Sequence, residues 1–280
     1  MTAQHLIHSQ INRQTHGLPT KMQLILEKIT EPSPTTPVAR PRLAALLRHN
    51  LDSYSCTVIS GRAGSGKTTL ASEFARNCGR PVAWYKVDAP DGEIAVFFDY
   101  LAASIGQQRP NFDEKSIRAL AAYAKADDIP LLSERLVFEL IEGRDDKPLL
   151  IVIEDLHLVG DTEWLVPFLE RFLRLTPPDV HILITGRTLP PAPLWRMRSK
   201  QTLAVVDEGT LAFTREEAVS LFETHGLTRQ QAYIAFDRTN GRAGSLARYA
   251  VMLGKPPLEL AGPTSILSWR RRSAQSTAGD

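Results

Sequence analysis

The chain has 280 residues, 43% of them hydrophobic and 23% charged, with a formal net charge of +2. That is enough for one large domain or two small ones with a sizeable core, and the near-neutral balance argues against a broad nucleic-acid-binding surface. Two cysteines fit buried free thiols in a reducing compartment and not a disulfide framework; with no apolar run near 18 residues and a polar N-terminus, a cytoplasmic location and no membrane partner are expected.

In chain order, residues 1–30 read as a polar N-terminal arm with one short amphipathic piece around Met22–Ile29, and Glu31–Pro37 as an extended proline-rich segment. A helix is expected from Pro41 to about Asn50, with the proline suited to its first turn. Cys56–Ile59 is apolar and β-branched, the signature of a strand. A second strand is expected over Pro81–Val87, helices over Glu93–Ile105, near Lys115–Ala126 and over Leu131–Glu142, and a fully covered strand over Leu149–Ile153. A helix over Glu163–Leu175 is stopped by Pro177 and Pro178. A fourth strand covers Val180–Thr185 and a fifth Leu203–Val206.

Strands alternating with helices over residues 31–207 predict an α/β nucleotide-binding domain with a five-stranded, mostly parallel sheet. After Asp207 the pattern is helical only. Thr214 and Glu217 form a capping box, and helices near 215–224, 229–238 and 243–253 predict a helical subdomain over residues 208–254. Residues 255–280, with Pro256, Pro257 and Arg270–Arg272, read as a flexible tail.

The chemistry lies between the first strand and its helix. Gly61-Arg62-Ala63-Gly64-Ser65-Gly66-Lys67-Thr68-Thr69 satisfies the phosphate-loop pattern G-x-x-x-x-G-K-[ST] in its strand–loop–helix context. Polyphosphate is dense negative charge. Backbone N–H groups cradle it only where glycines let the chain wrap closely, and the following helix start adds partial positive charge. Lys67 is placed to reach the β- and γ-phosphates, and the Thr68 hydroxyl to bind Mg²⁺. The third strand ends in Glu154 and Asp155, a Walker B pattern: one carboxylate serves the metal and the other orients or deprotonates the attacking water. Alternation along the strand keeps both from aiming equally at the metal, and the sequence leaves open which does which. Arg187, just past the fourth strand, is placed to sense or stabilise the terminal phosphate. Its bland alternative is a surface arginine on a turn.

These stretches together resemble a family. Arg40-Pro41-Arg42-Leu43, the phosphate loop, Val82-Ala83-Trp84, Ile153-Glu154-Asp155-Leu156-His157, Thr185 to Pro191, Leu211 to Ala218 and Thr239 to Leu246 are similar, in order, to the ATPase module of the large LuxR-family ATP-binding transcriptional regulators of the maltose-activator type. Those regulators belong to the STAND class of signal-transduction P-loop NTPases. The resemblance implies an AAA-like sheet with an additional strand. It also implies an ADP/ATP switch that self-associates when ATP-bound and hydrolyses ATP slowly with Mg²⁺. It departs in having Glu154 where the family usually has Asp, Arg242 where it often has Trp, and a chain that stops before the family's DNA-binding helix-turn-helix. The expected partners are an adenine nucleotide and either a second copy or a regulatory protein. Two further readings stand beside the switch. One is a catalytic P-loop enzyme, for which Arg196-Met197-Arg198 is the nearest thing to a kinase lid and no LSGGQ-like signature is present. The other is a binding-only scaffold.

Overall fold

The computed structural model describes residues 24–33, 38–191 and 202–254. The expectations for the polar arm before residue 24, the tail from 255 and Arg196–Arg198 fall outside these residues. The described residues gather into two compact units. The first takes the segment before residue 38 with residues 41–63 and 67–210; the second takes residues 38–40, 64–66 and those from Leu211 onward.

The first unit is built on a sheet of β1 (Cys56–Ser60), β2 (Val82–Lys86), β3 (Leu149–Glu154), β4 (Val180–Gly186) and β5 (Leu203–Val206), in the order β2-β3-β4-β1-β5. All four pairings are parallel, so the sheet is wholly and not just mostly parallel. The additional strand β4 lies between β3 and β1, as the AAA-like order requires. β3 and β4 are buried along their entire length, which explains the run of Leu, Ile and Val from Leu149 to Ile153 in β3.

Helices α3 (Ile94–Gly106), α4 (Glu114–Ala121), α5 (Ile129–Glu142) and α6 (Leu165–Leu175) cover one face. Their core includes a chain of aromatic contacts: Phe97 lies 4.8 Å from Trp164, and Phe168 stacks on Phe172 at 5.0 Å between ring centroids. Register puts Ala83, Tyr85, Ile151 and Ile153 on this face. α1 (Pro41–Ser53) and α2 (Lys67–Asn77) bury Leu43, Leu47, Leu70 and Phe74 outside that core, on the side to which Trp84, Val152 and Glu154 turn. A buried ion pair, Arg109 to Asp179 at 2.5 Å, ties the end of α3 to the entry of β4, and Arg109 also donates to the Leu140 carbonyl at 2.6 Å.

Three helices differ from the periodicity. α4 runs over Glu114–Ala121, with Asp113 capping its start by accepting from the Ser116 N–H at 3.0 Å; it stops short of Ala126, where a 3-10 turn over Ala126–Asp128 follows. α5 opens at Ile129, taking Pro130 into its first turn, where a missing N–H costs nothing. α6 opens at Leu165, after Trp164 donates its indole N–H to the Gly92 carbonyl at 2.6 Å. A short helix, α7 (Glu208–Leu211), follows β5 with no counterpart in the sequence pattern. Cys56 and Cys78 are buried free thiols, and burial pushes the Cys56 thiol well above its ordinary range.

The second unit packs α8 (Arg215–Glu223), α9 (Arg229–Thr239) and α10 (Ala243–Leu253) around Phe222, Ala232 and Leu246. The capping box closes as its spacing predicts: the Glu217 N–H donates to Thr214 Oγ1 at 3.2 Å and the Thr214 N–H to Glu217 Oε2 at 3.0 Å. Arg40 is buried in this unit. Its guanidinium donates to the Leu211 and Ala212 carbonyls at 2.6 and 3.1 Å and lies 4.2 Å over the Phe213 ring.

Candidate nucleotide site

Parallel strands carry their loops after their carboxyl ends to one edge of the sheet, which is where ligands of open α/β sheets bind. Residues 61–63 follow β1, Lys67 to Thr69 open α2, Asp155 follows β3 and Arg187 follows β4, so that edge of the first unit gathers these residues singled out from sequence. Within the loop, Gly64 and Gly66 adopt φ of +77° and +91°, the region that a Cβ makes costly.

The Lys67 ammonium donates to the Gly61 carbonyl at 2.7 Å and the Arg62 carbonyl at 3.2 Å. Two of its three N–H groups are thus fixed by the loop itself, and the side chain is buried. Burial lowers its pKa, opposed chiefly by the Asp155 carboxylate. The Arg62 side chain turns outward to Glu208, with Nε at 2.9 Å and Nη2 at 2.8 Å from Oε1, and the Arg62 backbone N–H donates to the same carboxylate at 3.2 Å. Ser65 Oγ is buried without a hydrogen-bond partner.

The two acids differ in backbone: Glu154 ends β3 and Asp155 lies just beyond it. Glu154 faces α2 and accepts a short hydrogen bond from the Thr68 hydroxyl. It is buried, and desolvation raises its carboxyl above the ordinary range; the Thr68 bond, Lys86 and the Trp84 indole pull the other way. Lys86 is the residue registered opposite Glu154 on β2. Asp155 takes the left-handed conformation at φ 57° and ψ 32°, its N–H donating to the buried Thr185 hydroxyl at 3.1 Å. Its carboxylate lies 3.8 Å from His157 Nδ1.

Both ring nitrogens of His157 are buried without hydrogen-bond partners, and burial lowers the imidazole pKa, helped by the positive charges of Arg187 and Lys67. Arg187 itself is exposed. The sequence reading quoted His157 only within the resemblance; the structure puts it beside Asp155 and in the field of both cations. Lys86 carries no signal in the sequence pattern above. The alternation of Val82–Lys86 puts Trp84 and Lys86 on one face, but the partner of that face is set by strand order.

The residues suit a nucleotide phosphate with a hard metal ion. Buried polar groups without partners are rare and costly, and both ring nitrogens of His157, beside Asp155, are such groups. The oxygen donors Thr68, Glu154 and Asp155 are the type Mg²⁺ prefers. A magnesium held by one or two protein oxygens, with phosphate and water completing the shell, needs no dense ligand cluster. Among the described residues no group of three or more His, Cys, Asp or Glu gathers in a metal-binding arrangement. No described helix is long and apolar enough to cross a membrane.

The profile of the AAA ATPase domain family matches residues 39–185. The HTH-type transcriptional regulators MalT of Serratia proteamaculans and Yersinia enterocolitica are each 31% identical over 186 residues, which is 66% of this chain and 20% of theirs. The chain therefore spans about a fifth of the length of these curated relatives. Among solved structures, a signal transduction ATPase with numerous domains (STAND) carrying a tetratricopeptide repeat sensor, from Pyrococcus horikoshii, aligns at 18% identity with a TM-score of 0.47, covering 78% of this chain and 30% of that one. A Walker-type ATPase of Pyrococcus abyssi aligns at 16% identity with a TM-score of 0.49, covering 78% of this chain and 69% of that one.

Proposed function

Since the chain belongs to the AAA ATPase domain family, we propose that it is the ATP-binding switch module of a transcriptional regulator of the maltose-activator kind. It would alternate between ADP- and ATP-bound states, self-associate in the latter and hydrolyse ATP slowly. The observation that carries this reading is the pairing of a loop-braced Lys67 with a Thr68 hydroxyl already bonded to Glu154. Phosphoryl-transfer sites work by positioning and charge stabilisation, and both need such fixed groups.

In this reading the amides of residues 61–69 and the Lys67 ammonium hold the phosphates. Thr68 and Glu154 hold Mg²⁺, which neutralises developing charge on the phosphate oxygens. Asp155 orients the attacking water. His157, kept neutral by burial, is available to accept a hydrogen bond beside it, and Arg187 reports whether a terminal phosphate is present. The first unit ends at the segment leading into the helices, so the presence of that phosphate can bias a two-state arrangement and expose an association surface.

The test compares nucleotide affinity and solution mass with ADP and with a slowly hydrolysed ATP analogue. A larger species with the analogue is expected, and identical mass and shape in both states would reject the switch. Lys67→Ala should lower nucleotide affinity roughly 100-fold, because a phosphate charge loses its buried counter-charge.

A binding-only module is the second reading, and one observation favours it. Glu154 is buried and desolvation raises its carboxyl above the ordinary range, so holding it charged for a metal costs more than at an exposed site. Turnover equal in wild type and Lys67→Ala would establish that reading.

A further inference from the structure

The segment 24–33 has no part in the reading above, yet it is fastened to the first unit at both ends. At one end Lys28 is buried, its ammonium 2.5 and 2.6 Å from the two oxygens of Asp91 and 4.2 Å from the centre of the Tyr100 ring. Asp91 is itself fixed, accepting from the Tyr85 hydroxyl at 2.9 Å and the Asp88 N–H at 2.8 Å. The Ile25 N–H donates to the Tyr100 hydroxyl at 3.2 Å, and Ile29 enters the core beside these residues. At the other end Glu31 pairs with Arg76 Nε at 2.7 Å and accepts from the Ser72 hydroxyl at 3.1 Å, while Arg76 donates to the Pro32 carbonyl at 2.9 Å.

Tyr85 belongs to the sheet face covered by α3, whereas Ser72 and Arg76 lie on α2, on the opposite face. β2 is the edge strand. The segment therefore passes around the sheet edge, from the aromatic and acidic box on one face to the helix of the phosphate loop on the other. There it bounds a cleft of about 70 Å³ lined by Pro32, Ser33, Thr68, Thr69, Ser72 and Arg76. The cleft opens on Thr68, the residue joined to Glu154.

Lysine is rarely buried without a purpose that outweighs its desolvation. A buried lysine held by a carboxylate and an aromatic ring is a strong, directional anchor. We propose that residues 24–33 form a strap that clamps α2 and so fixes Lys67 and Thr68 for nucleotide binding, with Lys28 as its positioning residue. The inference rests on the nucleotide site proposed above. Binding geometry lost at the first turn of α2 loosens the grip on phosphate, although neither Lys28 nor Glu31 touches the loop. Coupling carried this way through packed elements is modest in size.

The test uses the full chain and the dissociation rate of a fluorescent ADP, with and without Mg²⁺. Lys28→Met should speed release about tenfold and Glu31→Gln about threefold, the scale of coupling through a packed network. A core variant of the same unit, Phe172→Leu, should lower the melting temperature while leaving the release rate within twofold of wild type. If Lys28→Met does not fold, Glu31→Gln, at the partly exposed end, decides the matter alone. Release at the wild-type rate from the strap variants, with nucleotide still bound by wild type, overturns the clamp and leaves the nucleotide site standing. No binding by wild type overturns both.

Discussion

The Thr68 hydroxyl donates to Glu154 Oε1, joining the first turn of α2 to the last residue of β3. One hydroxyl thus links the loop that would hold phosphate to the acid that would hold its metal. Thr68→Ser keeps the donor and should bind magnesium nucleotide within about twofold of wild type. Thr68→Val keeps the shape but leaves a buried carboxylate without its hydrogen bond, a loss of about 1–3 kcal/mol where a partner is removed. It should weaken binding only when Mg²⁺ is present. Calorimetry with and without Mg²⁺ checks this, and equal magnesium dependence in Thr68→Val and wild type would refute it.

His181 supplies a pH dependence of stability. It lies buried in β4, with Nδ1 2.8 Å from the Tyr54 carbonyl and Nε2 3.1 Å from the Thr57 hydroxyl. The carbonyl can only accept, so Nδ1 carries the proton and Nε2 accepts from Thr57. Burial drives its pKa down to about 4 from 6.5. The unfolded chain therefore takes up a proton at a higher pH than the folded one. Stability from this site is intact above about pH 6.5 and falls as the pH drops towards 4, by up to roughly 3 kcal/mol at full titration. Thermal unfolding from pH 7 to 4 should show a steeper loss in wild type than in His181→Gln, and parallel slopes would reject the assignment.

The second unit offers a cleaner stability test. Gly241 has φ +72°, and a Cβ there would stand 2.4 Å from the Phe213 carbonyl oxygen. Both the conformation and the contact exclude a side chain. Gly241→Ala should cost about 1–3 kcal/mol, the scale of a backbone forced into strain. Thr214→Ala, removing the cap of α8, should cost about 1 kcal/mol. Denaturant titration followed by circular dichroism measures both, and a smaller loss for Gly241→Ala than for Thr214→Ala would contradict the strain argument.

Much of this was legible before the fold. The strand–loop–helix around Gly61–Thr69 is written in residues that have few other uses together, and the apolar run of β3 betrays a strand covered on both faces. Alternation says only that Glu154 and Asp155 do not aim equally at one metal. What alternation cannot say is which acid meets Thr68, because that depends on which sheet face α2 packs against. Lys28 was illegible for a different reason. A lysine in a polar stretch reads as solvated, and its acid and tyrosines, Asp91, Tyr85 and Tyr100, are more than fifty residues away in sequence. The Arg109–Asp179 pair escaped notice in the same way. Long-range charge pairs leave no local period, so only the folded chain reveals them.

Asp155 sets stability against activity. Among described non-glycine residues, it and Asn240 have positive φ; Asn and Asp tolerate that region better than other side chains, at a cost of about 1 kcal/mol or more. Asp155→Gly removes the steric cost, and Asp155→Asn keeps the local hydrogen bonding that makes it bearable. Both should fold with a melting temperature at or above that of wild type. Asp155→Val puts a β-branched side chain at the same φ and should melt several degrees lower. If Asp155 orients the attacking water, all three should lose hydrolysis by about 100-fold or more while ADP affinity stays near wild type, the pattern of a group whose role is confined to the transition state. Single-turnover hydrolysis alongside ADP titration separates the two effects. Hydrolysis surviving in Asp155→Asn would move the role of water activation to Glu154.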